Sequence, residues 1–465
     1  MSRETLCACV MLLAMVCLAA DADAQKVGQW RRYSVSFHNE SWEAENPFDV
    51  RLDGVFSSPS GRTLTQPGFY AGENTWKIFF MPDETGEWSF VTRSPDPELD
   101  GREGTFTCVD SDLLGPLRPD GSRWKMQEGG ADFPVIWPPL QKDRWWAFRA
   151  AKPDDALVGR QLRFADRTVR ARVLGIGDLV VAPRDWAADV PQDALPYVEG
   201  REGERFYLPF WDRLNAKLDM ARERGLGLYV MFFTDDALTP DRLGITPRSR
   251  AERRLFRYAV ARLACYPTLL WDTGIDIGEY RNDGWIDWFS GWFSRHDPWH
   301  HPVGSRSSGG SGGKHPEGAT YFSSGLPTMP SRSDLLRLRK RPEPTAFTDH
   351  WRPFIGRGDW TGRKLRVVHW RCGLSGGQAT FPDYSQGFTG DASREEIEAG
   401  AEDIGHAVRF FREELRGPYA ALEPHDELIQ EGDPVILSAR PGHEYVVYDE
   451  DGGELTLDLS GAEGT

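Results

Sequence analysis

Three acids, Asp272, Asp276 and Glu279, stand in residues 268–289, TLLWDTGIDIGEYRNDGWIDWF, between an apolar run and a tryptophan-rich segment. Leu269, Trp271, Thr273 and Ile275 alternate with Leu270, Asp272, Gly274 and Asp276, the period of a strand. Asp276 then falls at the strand tip, with Asp272 four residues deeper and Glu279 on the loop beyond. Two carboxyl groups flanking a scissile bond are what hydrolysis of a glycoside requires, one to protonate the leaving oxygen and one to attack or to activate water. The second must come from another strand tip, and PTAFTDHW (344–351) offers Asp349, 73 residues after Asp276 and next to Thr348, His350 and Trp351. Asp272 reads as a hydrogen-bonded layer residue or a solvated acid on the bottom face. Glu279 reads as a substrate contact, a partner of the acid, or the N-terminal charge of a helix that begins near Asp283.

Other predicted strand ends add polar groups. Asp178 ends GIGDL, Asp235 and Asp236 follow YVMFFT, Arg306 ends HPVGSR, and His369, Trp370 and Arg371 lie near the end of KLRVVHWRC. Together they describe a polar pocket in which Trp351 and Trp370 stack a sugar ring while Glu279, Arg306 and His369 orient it. His296, His300 and His301 straddle Pro298 and Pro302 without the helix face that a zinc site uses, so neither a metal nor an organic cofactor is expected.

These groups must be positioned by a scaffold. Residues 29–110 carry short alternating runs (WRRYSVSF, NPFDVRL, TWKIFFM, GEWSFVTRS, GTFTCVD) between turn clusters, the rhythm of an all-β, immunoglobulin-like sandwich. From about Leu113 apolar strands alternate with helical patterns, notably 207–225, 251–266, GWIDWFSGWFSRH and 393–415. Seven or eight such units favour a (β/α)8 TIM barrel over a dinucleotide-binding sheet, since no GxGxxG follows a strand. In such a barrel the strand C-termini share one cleft. After Gly417 three short strands and a DGG turn make an antiparallel β segment. The expected division is a signal peptide at 1–24, the sandwich at 25–112, the barrel at 113–420 and the C-terminal β segment at 421–465.

Composition narrows the partners. The 465-residue chain has a formal net charge of −16 and no basic stripe with interleaved aromatics, which argues against nucleic acid. Eighteen tryptophans suit a carbohydrate cleft. Leu6–Ala20 is too short to span a bilayer and precedes Ala22-Asp23-Ala24, so a cleavable signal cut after Ala24 and export to the periplasm or medium are expected, without membrane insertion. Cys7, Cys9 and Cys17 would leave with it, and Cys108, Cys265 and Cys372 are expected as buried free thiols.

The stretch NPFDVRLDGVFSSPSGRTLTQPGFYAGENTWKIFFMPDETGEWSFVTRS resembles the N-terminal sandwich of secreted bacterial apiosidase-like glycoside hydrolases. WDTGIDIGEYRND is similar to that family's fourth-strand signature, Trp-x-x-Gly-Asn-Glu-x-x-Glu-Tyr. VVHWRCGLSGGQATF and FFREELRGPYAALEPHDELI resemble its late segments, and ILSARPGHEYVVYDEDGGELTLDLSG its C-terminal collagen-binding-type β domain. The resemblance implies a clan-A-like barrel with the acid/base on Asp276 and the nucleophile, on the seventh strand, near Asp349. It also marks a departure: Ile275 stands where the family's sugar-binding Asn is usual, and isoleucine cannot contact a 2-hydroxyl. The alternative is therefore a non-catalytic glycan- or matrix-binding protein on the same scaffold.

Overall fold

The computed structural model describes residues 25–42, 45–127, 129–137, 146–180, 190–233, 240–274, 277–305, 315–324, 329–348, 362–380, 394–432 and 435–461. Its N-terminal part is two facing sheets. One contains β1 (Lys26–Gly28), β3 (Asp53–Ser57), β4 (Thr63–Pro67), β7 (Gly86–Arg93) and β8 (Glu103–Val109), in the order β1-β8-β7-β3-β4. The other contains β2 (Tyr33–His38), β5 (Phe69–Gly72) and β6 (Thr75–Phe80), in the order β2-β6-β5. Alternation along β7, where Trp88, Phe90 and Thr92 are buried, sends aromatic rings into the space between the sheets. There Phe56 stacks on Phe80 with centroids 3.8 Å apart, and Tyr33 on Phe106 at 4.1 Å.

This module shares a core with the helices that follow. Phe48 meets Phe206 edge-on at 5.2 Å, Trp299 Nε1 donates to the Met81 carbonyl at 3.1 Å, and Arg262 lies 4.4 Å over the Phe69 ring. An interface this apolar holds two modules as one body.

Residues 117–132 form a three-stranded antiparallel sheet: β9 (Leu117–Asp120), β10 (Arg123–Met126) and β11 (Gly130–Asp132). Eight parallel strands follow in chain order: β12 (Ile136–Trp137), β13 (Val173–Asp178), β14 (Gly227–Phe233), β15 (Leu269–Gly274), β16 (Val303–Gly304), β17 (Phe322–Ser324), β18 (Thr345–Phe347) and β19 (Gln378–Ala379). The first five make one sheet and the last three another. The sheets meet at both edges: Thr320 N–H donates to the Val303 carbonyl at 2.8 Å, and Ile136 N–H to the Thr380 carbonyl at 2.7 Å. Ile136, Val173, Tyr229, Met231, Leu270 and Ala346 pack together inside, with Leu117, Trp124 and Met126 of the small sheet beneath them. Trp124 Nε1 donates to the Thr345 carbonyl at the start of β18, which closes that end.

The helices are α1 (Trp146–Ala150), α2 (Ala156–Arg163), α3 (Leu208–Arg222), α4 (Arg250–Leu263), α5 (Asp283–His296), α6 (Arg332–Leu338), α7 (Gly362–Ser375) and α8 (Arg394–Arg409). α5 shows why they sit where they do. The Asn282 side chain accepts from Trp285 N–H as its N-cap, and Trp285, Ile286, Phe289, Trp292 and Phe293 form a buried stripe. Phe293 lies 4.8 Å from Trp271, on the outer face of β15. No helix among the described residues is long and apolar enough to cross a membrane.

Two expectations fail. KLRVVHWRCGLSGG, expected as the last strand, is helix α7, because Leu365, Val368, His369 and Cys372 recur at helical spacing and are buried. The strand at that place in the ring is β19, and β17 within TYFSS was not anticipated. The DGG turn at 451–453 joins no hairpin. β22 (Val435–Arg440) pairs with β23 (Glu444–Asp449), whereas β24 (Thr456–Leu457) returns to β21 (Ile429–Glu431). β20 (Glu423–Pro424) flanks β22.

The C-terminal strands pack on α7. Trp370 stacks on Tyr448 at 5.4 Å and also meets Phe410 and Phe411, while Arg371 forks onto Glu450. Trp370→Ala is therefore expected to lower stability by about 2 kcal/mol, read by urea unfolding, and to leave carbohydrate binding unchanged.

Candidate active site

The two candidate carboxylates follow strand ends in the sequence. β15 is the fourth of the eight strands and ends at Gly274, two residues before Asp276. β18 is the seventh, and the described chain runs one residue past it to Thr348, the neighbour of Asp349. Asp276 and Asp349 lie outside the described residues, as do Asp235, Arg306 and Trp351. Asp178 is the last residue of β13, and Glu279 ends a 3-10 turn at Ile277–Glu279; the backbone of both is placed and their side chains are outside the description.

Two sequence-predicted residues are placed elsewhere. His369 lies on α7, fully buried, with Nδ1 2.8 Å from the Leu365 carbonyl one turn back. Burial pushes its imidazole down to about 4. Its ring meets Phe133 edge-on at 6.5 Å, so it fills core. Trp370, one residue on, is taken up by Tyr448 and the α8 end. Neither is at a strand tip, because the segment that carries them is a helix.

Below the strand ends the floor is ordered by Asp272. It has no solvent exposure, and Tyr321 Oη lies 3.1 Å from its Oδ2 and 3.0 Å from the Trp271 carbonyl. Gly274 N–H donates to Asp272 Oδ1 at 3.1 Å. Two glycines make this possible. A Cβ on Gly304 would fall 2.4 Å from the Tyr321 ring, and one on Gly274, whose φ is +125°, would fall 1.8 Å from the Phe233 carbonyl. Asp272 thus belongs to the interior of the ring.

Neighbouring strand ends are braced by hydroxyl pairs. Thr273 and Ser305 are 2.7 Å apart, joining the fourth strand to the fifth, and Ser323 bonds Thr348, joining the sixth to the seventh. These pairs fix the backbone from which both candidate carboxylates depart.

The loop after β15 has a further anchor that sequence reasoning missed. Arg281, with a side chain 1% exposed, forks onto Asp241 at 3.1 Å from each oxygen, donates to the Ile245 carbonyl at 3.3 Å, and lies 3.7 Å from Glu252. Its guanidinium sits 5.2 Å over the Trp285 ring. Glu252 is buried at the first turn of α4, where it also accepts from Trp285 Nε1 at 3.1 Å and from Arg248 N–H. The spacing Ser249-Arg-Ala-Glu252 is that of a capping box, and Ser249 does cap Glu252 N–H, but the carboxylate turns instead to Trp285 and Arg281.

Burial pushes the Glu252 carboxyl up to about 7, against its hydrogen bonds and Arg281, which pull it down. The folded chain keeps this proton through a pH range in which the unfolded chain, with an ordinary carboxyl near 4.5, has lost it. Folded protein binds more protons there, so stability falls as pH rises from about 4.5 to 7. Relative to Glu252→Gln, the wild type is expected to lose on the order of 1–3 kcal/mol between pH 5 and pH 7, read from urea midpoints.

Among the described residues no group of three or more His, Cys, Asp and Glu is placed to hold a metal ion. The three described cysteines are buried free thiols.

Comparison with known proteins adds the following. Residues 26–95 match the family described as domain of unknown function DUF5060. No curated protein matches the sequence. A candidate glycoside hydrolase from Bacteroides vulgatus ATCC 8482 superposes with a TM-score of 0.70 at 21% identity, covering 89% of this chain and 84% of its own. A glycoside hydrolase family 5 protein from the same organism gives 0.53 at 15% identity, over 75% and 83%. A further glycoside hydrolase gives 0.55 at 14%, over 75% and 86%. At these identities the likeness is one of fold.

Proposed function

We propose that the chain is a secreted glycoside hydrolase that cleaves a plant or microbial oligosaccharide or polysaccharide on a closed (β/α)8 barrel. One observation carries the reading: the segments bearing Asp276 and Asp349 leave the fourth and seventh of eight parallel strands, in a fold shared with glycoside hydrolases. Parallel strands end on the same rim, so segments that follow strands three apart are able to bring two carboxyl groups to one cleft. Asp276 protonates the departing oxygen and Asp349 attacks the anomeric carbon or activates water, according to their separation. Asp178, Asp235, Glu279, Arg306 and Trp351 supply the polar and stacking contacts to the sugar. The resemblance to apiosidase-like proteins directs the search to branched pectic and hemicellulosic glycans, and the first 24 residues to export.

Ile275 favours a second reading, a glycan-binding protein without catalysis, since the usual sugar-binding Asn is lacking there. The two separate in one experiment. Residues 25–465 are incubated with branched pectic and hemicellulosic oligosaccharides, apiose-bearing side chains among them, and products are separated by anion-exchange chromatography. Release of a sugar supports the hydrolase; binding without release across the panel supports the second reading.

A further inference from the structure

We infer that a groove on the flank of the ring, between the sandwich and α4, binds an acidic oligosaccharide through its carboxylate or sulfate groups. The groove encloses about 430 Å³, ample for one or two sugar rings. One wall is α4, where Arg250, Arg253, Arg254 and Arg257 recur at i, i+3, i+4 and i+7 and so form a single stripe. Arg295 of α5 and Arg51 of the sandwich add to it.

The balancing charge is small. Asp49 takes a fork from Arg254 and a 3.1 Å contact from Arg250, while Asp53 takes Arg257 and Arg51. Six arginines against two aspartates leave the lining at +4 in a chain whose net charge is −16. Arg253 and Arg295 are exposed and have no carboxylate partner among the described residues. Like charges at i and i+4, as at 250/254 and 253/257, weaken a helix, and the positive N-terminal end of α4 adds to the same field. An anion in the groove relieves this repulsion.

The rest of the lining points to a saccharide rather than a bare anion. Phe48 gives a half-buried apolar face beside the guanidinium groups, and the exposed His296 ring, stacked on Trp292 at 4.2 Å, gives another flat one. Sugar C–H faces pack on such surfaces while an acidic substituent reaches an arginine fork. The groove lies against the outer faces of α4 and α5, apart from the strand ends, and so constitutes a second site. The saccharide part rests on the hydrolase reading; the anion part stands on the arginines.

The test is calorimetric titration of the Asp276→Asn chain, silenced so that no probe is turned over, with an oligogalacturonate, a sulfated oligosaccharide, a neutral xylo-oligosaccharide and inorganic sulfate. At least one acidic oligosaccharide is expected to bind, more weakly as salt is raised and more tightly than the neutral probe or sulfate; which of the two binds identifies the acidic group. Adding Arg253→Gln and Arg295→Gln should weaken that binding at least tenfold with no loss of melting temperature. Failure of both acidic oligosaccharides to bind, or binding that the double substitution leaves intact, overturns the proposal. Inorganic sulfate binding as tightly as the oligosaccharide overturns its saccharide part. Since the readout is binding, a chain that proves to hydrolyse nothing still passes or fails this test on its own.

Discussion

Asp276→Asn is expected to lower kcat/KM for the glycan that the wild type cleaves by about 10³–10⁴-fold and to leave folding stability unchanged. An amide has the shape of the carboxyl group but cannot deliver its proton, so departure of the leaving oxygen loses assistance. Glycans with a poor leaving group should suffer most, and an activated aryl glycoside least, because its leaving group needs little protonation. The unchanged stability follows from the floor beneath. Asp272, Tyr321 and Gly274 are bonded to one another and to the strands, and the hydroxyl pairs at Thr273–Ser305 and Ser323–Thr348 hold the strand ends. Steady-state kinetics and urea unfolding on the same preparations check both halves. A parallel loss of stability would point to a structural role for Asp276 instead.

Arg281→Leu should show the opposite pattern, a large loss of stability with a secondary loss of activity. Removing this guanidinium strands Glu252, whose side chain has no exposure and whose proton affinity burial already raises. Breaking a buried ionic cluster by deleting one partner costs about 3–5 kcal/mol. The loss should shrink at pH 5, where Glu252 is neutral in either chain. Arg281→Leu combined with Glu252→Gln should recover part of it, with a coupling energy of about 1–3 kcal/mol from the double-mutant cycle. Arg281 follows Asp276 by five residues, so a loosened loop should also reduce kcat/KM by about tenfold or more through misplacement of the acid. Strictly additive effects of the two substitutions, a coupling energy near zero, would show that Glu252 and Arg281 are not coupled.

Much of this architecture is legible in the residues, and the reasons for the misses are physical. The sandwich announces itself because its faces differ: Trp88 and Phe90 alternate with Ser89 and Val91, and both buried rings land in the core. The parity of the segment 269–274 is read correctly. Trp271 meets the helices outside and Asp272 lies within the ring, which is the structural role its depth suggested. Residues 364–373 mislead because Val367-Val368 between polar neighbours imitates a strand, while the helical face of Leu365, Val368 and Cys372 shows only over a longer window. That error carried His369 and Trp370 into the expected pocket. β17 has three residues, too few for any period to emerge.

Arg281 and Glu252 were missed for a different reason. Their pairing joins a loop to a helix 29 residues earlier, and such contacts leave no periodic trace. The one local cue, the Ser249-to-Glu252 spacing, points to a cap rather than to a buried ion. The arginine stripe on α4 is visible as RAERRLFR, but only the neighbouring Asp49 and Asp53 of the sandwich show how little of its charge is balanced.

The central claim is that Asp276 and Asp349 act as a pair from the fourth and seventh strands. Its most direct test is the distance between their carboxyl groups in crystals of residues 25–465 with an oligosaccharide bound between them. A separation of about 5–9.5 Å, with the glycosidic oxygen beside Asp276, is the predicted result, the shorter end implying retention and the longer end inversion of configuration. A separation beyond about 10 Å, or a sugar bound away from both, would contradict the assignment.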